Sequence, residues 1–239
     1  MTPKTPRPHV ARVLEQTRAA LFAFDDALCD LFHSVHGAAI AREIHDRLFA
    51  AGHRMSLFVA IEQNPISMMW YARQVAPDIG AEATELLRKI EITAATTAVP
   101  VPDVQEAIHA CHASGRSIAV VDDISSDAME TYLDLHGLRH LVGAVIGREH
   151  LFTLPEHLQT GENLLQQAVQ ALNAEPSDAA LVTLTPHRIF RAKNAGLRSL
   201  GVVNKRGTRK HLSGPPDAVA VSSMAHLASG FASVPVLST

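Results

Sequence analysis

The chain has 239 residues, 47% of them hydrophobic and 19% charged, with a formal net charge of -3 at pH 7. That length suits one large domain or a domain with a sizeable insertion, burying roughly 70% of its unfolded surface. The charge gives no basic footprint for nucleic acid, no apolar run approaches the roughly 20 residues of a membrane span, and the two cysteines, Cys29 and Cys111, read as buried reduced thiols.

The opening "MTPKTPRPHVARVLEQ" has prolines and charges but no apolar stretch, so it does not read as a secretory signal. A cytoplasmic location is expected, with residues 1 to about 8 a loose tail in a leading segment, 1–17. The run "AALFAF" (19–24) reads as a strand buried on both faces, as do "SIAVVD" (117–122), "VGAVI" (142–146), "AALVTL" (179–184), "SLGVV" (199–203) and "AVAV" (218–221). More than ninety residues separate the first strand from the second, too many for one crossover. That interval reads as helical: "HGAAIAREIHDRLFAAG", "PISMMWYARQVA", "AEATELLRKIEITAATTA" and "VQEAIHACHASG". Ala83, Leu86, Leu87 and Ile90 form one apolar stripe, and Val104, Ala107, Ile108 and Cys111 another. "TTAVPVPD" (96–103) reads as a linker back to the main fold. Later helices have legible ends, with Ser126 ahead of "DAMETYLDLHG" closed by Gly137, and Thr185-Pro186 ahead of "HRIFRAKNAG" closed by Gly196. Strand alternating with helix predicts an α/β fold with a Rossmann-like parallel sheet and right-handed crossovers. The expected division is a core of 18–31 and 103–239 with a helical cap of 32–102.

The first strand runs into two carboxylates, Asp25 and Asp26, and the second into Asp122 and Asp123. Ligands of doubly wound sheets bind outside the carboxyl ends of the strands, so these four and Arg188, early on a following helix, are candidates for one pocket. For Asp26 and Asp123 the plainer reading is helix capping or contact with water. Trp70, beside Met68 and Met69, reads as cap core or as a pocket wall. His109 and His112, like His33 and His36, are three apart, but no third metal ligand accompanies either pair. The cluster "NKRGTRKH" (204–211) reads as a solvated loop or a docking surface for an acidic partner.

The opening run and this architecture resemble the haloacid dehalogenase (HAD) superfamily of mostly Mg-dependent phosphatases, in its phosphoglycolate phosphatase-like branch with a helical cap. The resemblance spans about Arg18 to Ala232. The family's first motif is a strand ending Asp-x-Asp-Gly-Thr-Leu, whose first Asp attacks phosphorus and whose second is the general acid and base. In "LFAFDDALCD" Ala23 occupies the nucleophile position, Asp25 the acid/base position, and Asp26-Ala27 the place of Gly-Thr. A register shift that makes Asp25 the nucleophile puts Ala27 at the acid/base position and loses the match to the motif. The second motif's Ser or Thr corresponds to Asp122, which repels phosphate where a hydroxyl would bind it. Gln159 stands at the phosphate-binding Lys, and no Lys occurs between Arg116 and Lys193. In the fourth motif, whose acids hold Mg, Leu184 and Arg188 replace the two acids, although the flanking "AKNAGLRSLGV" is kept.

The resemblance therefore implies a pseudoenzyme, a HAD-like pseudophosphatase without its Mg site or another cofactor, acting as a binding or regulatory module. Arg188 is expected to stand in for the missing cation by pairing with Asp25 or Asp122. The expected partner is a protein or a small uncharged or cationic ligand, not nucleic acid or membrane, and the oligomeric state is open. The alternatives are an enzyme of another reaction class using a repurposed acidic pocket and, last, a residual phosphatase.

Overall fold

The continuous apolar runs form one sheet because helices cover both its faces. The computed structural model describes residues 6–203, Leu212 and 218–236. The chain starts with helix α1 (Pro8–Glu15), then strand β1 (Ala19–Ala23). Two short strands, β2 (Cys29–Asp30) and β3 (Val99–Pro100), bracket helices α2 (Gly37–Ala50), α3 (Leu57–Ala60), α4 (Pro65–Val75) and α5 (Pro77–Ala95). There follow α6 (Val104–Ala113), β4 (Ser117–Val121), α7 (Ser126–Leu135), β5 (Ala144–Ile146) and α8 (Gly161–Ala171). The chain continues through β6 (Ala179–Thr183), α9 (Pro186–Asn194), β7 (Arg198–Val202), β8 (Ala218–Val221) and α10 (Met224–Ser233).

Among the described residues, six strands form a sheet in the order β5-β4-β1-β6-β7-β8, every neighbouring pair parallel. β1 lies between β4 and β6 and all five of its residues are buried, as a strand covered on both faces requires. The order reverses beside β1, so the edge next to its end is the switch point where α/β sheets bind ligands. Within the leading segment, residues 8–15 form a helix that packs on the core. Val10, Val13 and Leu14 are buried in the main core at helical spacing, and α1 packs on α10 and β8.

β2 and β3 pair antiparallel and carry the chain into and out of the cap. The cap has its own apolar centre, including Ile44, Leu48, Met68, Met69, Ala72 and Leu87. Asn64 starts α4 by accepting from the N–H groups of Ile66 (2.8 Å) and Ser67 (3.2 Å), with Pro65 in the first turn. Gly80 lets α5 approach α4 closely, because a Cβ there would collide with the Arg73 backbone. Helix boundaries shift slightly from the sequence expectation. The cap of α7 is Ser125, which accepts from Ala128 N–H (3.3 Å), and Ser126 is the first helical residue. No helix of the described residues is long and apolar enough to cross a membrane. The basic cluster 204–211 and the side chain of His33 lie outside the described residues.

Candidate functional site

Three strand ends converge. Ala23 is level with Val121 and Phe22 with Val182, so the residues after β1, β4 and β6 share one edge of the sheet. Ala23 itself is fully buried, and its methyl group sits in the main core. Beyond it the chain turns tightly through 24–28, with Asp26 at φ 113° and ψ -47°. A side chain at positive φ costs about 1–3 kcal/mol in backbone strain, and glycine avoids that cost.

Hydrogen bonds to the Asp26 carboxylate offset the strain. Thr183 Oγ1 (2.9 Å) and Thr185 Oγ1 (2.7 Å) donate to Oδ2, and Leu184 N–H donates to Oδ1 (3.2 Å). Thr185 occupies the N-cap position of α9, but its hydroxyl serves Asp26 rather than the helix. Burial pushes the Asp26 carboxyl above its ordinary range, against the pull of Arg188 and these bonds. Neither Asp26 nor Asp123 caps a helix or simply faces water.

Asp122 ties the three segments together. Its Oδ2 accepts Asp25 N–H (2.8 Å), and its Oδ1 accepts Asp123 N–H (2.8 Å) and Arg188 Nη2 (2.9 Å). The same Nη2 donates to the Asp25 carbonyl (3.2 Å). Arg188 Nε lies 3.4 Å from Asp26 Oδ2, close enough for an ion pair but not aligned as a hydrogen bond. The guanidinium thus pairs with Asp122 and Asp26, while Asp25 offers it a carbonyl rather than its carboxylate. These carboxylates hold Arg188 firmly protonated in spite of its burial.

Asp25 and Asp123 are placed differently. Asp25 Oδ1 accepts Leu31 N–H (3.0 Å), yet burial first, then neighbouring Asp122, pushes its carboxyl up to about 6. Asp123 Oδ2 accepts the indole N–H of Trp70 (3.2 Å), its Oδ1 is buried with no donor, and burial pushes it up to about 6. Gln159 Nε2 donates to the Leu154 carbonyl (2.9 Å), tethering its own loop.

A cleft of about 770 Å³ opens between cap and core. Asp25, Asp122, Asp123, Arg188, Gln159 and Trp70 all line it. Ala23, Leu184 and Asp26 do not. Leu184 is buried in the main core, and Asp26 is held by the threonines behind the floor. Met68 and Met69 are cap core, whereas Trp70 reaches across to Asp123 and packs edge-on against Phe152 (centroids 5.4 Å apart). Cys29 and Cys111 are buried free thiols, and burial raises both. His109 and His112 are exposed, and among the described residues no three His, Cys, Asp or Glu converge as a metal-ligand set.

The model of the haloacid dehalogenase-like hydrolase family matches residues 21–202, most of the chain. The chain belongs to this family. Among solved structures, it is similar to a predicted phosphatase from Clostridium acetobutylicum (15% identity, TM-score 0.60, covering 89% of this chain and 96% of that one). A HAD family hydrolase from Deinococcus radiodurans with bound phosphate and sodium is likewise similar (18%, TM-score 0.57, 92% and 97%). So is a HAD-superfamily hydrolase from Ehrlichia chaffeensis (14%, TM-score 0.52, 92% and 98%). At these identities the likeness is one of fold. No curated protein matches the chain.

As a HAD-like chain, it does not fit the family's Mg ion. Mg needs oxygen ligands in near-octahedral array. The buried Ala23 methyl and Leu184 isobutyl group offer none, and the nearby Asp122 carboxylate and Asp25 carbonyl already face the Arg188 guanidinium.

Several residues of the site had escaped the sequence reading. Thr183 and Thr185 are the donors that secure Asp26. Arg191 and His187 line the cleft, and partial burial, then the two neighbouring arginines, lowers the His187 pKa. Arg148 and Glu91 form a bidentate pair (2.6 and 2.7 Å), both fully buried, which ties α5 of the cap to the core. Glu91 continues the spacing of Ala83 and Leu87 on the buried face of α5, and a carboxylate on such a face needs a partner.

Proposed function

We propose that this HAD-like chain is a pseudophosphatase, a non-catalytic member of its family that works by binding a ligand in the cleft between cap and core. Ala23 carries the reading. A buried methyl group at the nucleophile position has no lone pair with which to attack phosphorus. Leu184, Gln159 and Arg188 support it, since each replaces a group the family chemistry would need.

A binding role through a small ligand, rather than through the outer surface alone, is favoured by the cleft itself. Its floor is closed by ion pairs, but above that floor about 770 Å³ is open, a volume typical of small-molecule sites. Both cysteines are free thiols, in keeping with a cytoplasmic location. A second reading, an enzyme of another reaction class, draws on Asp25 and Asp123, whose carboxyls near 6 suit proton transfer.

The test is a small-molecule thermal-shift screen on the wild type and on Ser67→Trp, which narrows the cleft from its cap side. Binding in the cleft predicts stabilising compounds that lose their effect in the variant and are recovered unchanged after incubation. Compounds equally effective in both proteins would place binding elsewhere, and compounds consumed during incubation would favour the enzyme reading.

A further inference from the structure

The four carboxylates at the strand ends differ in how many of their oxygens the protein already uses. Asp26 and Asp122 have both oxygens occupied by donors from the chain. Asp25 and Asp123 each have one occupied, by Leu31 N–H and the Trp70 indole. Oδ2 of Asp25 and Oδ1 of Asp123 accept from no described residue, and the latter is buried. A buried acceptor without a donor is destabilising until something supplies one. Both residues line the cleft, so each brings to its wall a carboxylate with one oxygen that no described residue partners.

This inference rests on the cleft being a binding site. We propose that its ligand is an organic cation, whose ammonium or amidinium group donates to Asp25 and Asp123 while an apolar body lies among Phe32, Ile66, Leu151 and Trp70. An ammonium group brings three donors and no acceptor, the complement of two open carboxylate oxygens. A positive charge also balances the walls, where five carboxylates face two guanidiniums. Arg188, the cation on the floor, is already engaged by Asp122, Asp26 and the Asp25 carbonyl. An anionic ligand would meet carboxylates and find that arginine occupied.

The protein contains one tryptophan, and it stands in the cleft wall, so intrinsic fluorescence reports directly on occupancy. The probes are benzylammonium, its neutral counterpart benzyl alcohol, and benzyl phosphate, each titrated into the full-length protein. The proposal expects benzylammonium to change Trp70 emission saturably and to raise the melting temperature. Benzyl alcohol should bind about tenfold more weakly or worse, as expected for loss of a charge-assisted hydrogen bond. Asp25→Asn and Asp123→Asn should each weaken benzylammonium by a similar factor, with circular dichroism confirming that the variants fold. The wild-type ranking of the three probes stands even if a variant does not fold. Binding of benzyl phosphate in preference to benzylammonium would overturn the cationic ligand while leaving the cleft as a binding site. Equal affinity for benzylammonium and benzyl alcohol would overturn it too, as would no benzylammonium binding up to about 10 mM. If no probe binds and Ser67→Trp leaves every thermal-shift response unchanged, the cleft reading itself fails.

Discussion

Arg188 and Arg148 both meet carboxylates away from solvent, but they do different work. Arg188 closes the floor of the cleft, where one guanidinium serves Asp122, Asp26 and a backbone carbonyl, and its side chain keeps 19% exposure. Arg148 is fully buried and grips a single carboxylate, Glu91, whose Oε2 also accepts Ser125 N–H (3.0 Å). The first pair fills a place left open within the core; the second fastens the cap to it. Trp70–Asp123, Trp70–Phe152, and Arg73 stacked 3.8 Å from the Phe152 ring add further links on the same seam. The cleft therefore has a floor and a roof fixed by separate ionic contacts, and each can be broken without the other.

The largest effect is expected at the fully buried pair. Glu91→Ala or Arg148→Ala leaves an uncompensated buried charge and should cost about 3–5 kcal/mol, read from urea unfolding. The double change Glu91→Leu with Arg148→Met removes both charges and should cost far less. Equal losses in single and double variants would mean that packing, not charge, holds the cap. Arg188→Ala should cost less, about 2 kcal/mol at pH 7, because its site is partly hydrated. That loss should shrink on acidification, as Asp26, left without its cation, takes up a proton. Wild-type stability at pH 7 with an unchanged carboxylate titration would remove Arg188 from its role as the resident cation.

The two carboxyls near 6 give a smaller, signed effect. Asp25 and Asp123 hold their protons more tightly folded than unfolded, so stability should rise as pH falls from about 6 towards the ordinary carboxylate value of 3.8. His187, with its pKa lowered by partial burial and neighbouring arginines, works the opposite way below 6.5. Melting temperatures of the wild type against Asp25→Asn/Asp123→Asn isolate these two carboxyls: the variant should lose their share of the acid-side gain and keep that of Asp26, whose carboxyl is also raised. The smallest change is Trp70→Phe, which deletes the indole bond to Asp123 and should cost about 1 kcal/mol.

The two arginines also show what the sequence exposes. Strand runs and crossover helices were readable because burial on both faces imposes continuous apolar stretches, and all six expected strands of the parallel sheet are present at those places. Asp25, Asp122, Asp123 and Arg188 were readable as neighbours because a parallel sheet brings its strand ends to one edge. Their individual bonds were not: nothing in "LFAFDDAL" tells that Asp26 twists to φ 113° and turns its carboxylate to two threonines more than 150 residues away. Arg148 opens a single short 3-10 turn, Arg148–Leu151, too brief to show a periodicity, and only Glu91, a charge on the buried face of α5, points to a partner. Helix α1 is not legible in the sequence, because its short apolar stripe has meaning only beside α10 and β8.

The most direct test of the pseudophosphatase proposal is hydrolysis of an aryl phosphate with Mg present, comparing the wild type with Asp25→Asn. With a methyl group at Ala23 and Arg188 among the carboxylates, no turnover above the buffer background is expected from either protein. Turnover by the wild type that disappears in Asp25→Asn would contradict the pseudophosphatase reading and restore Asp25 to catalysis.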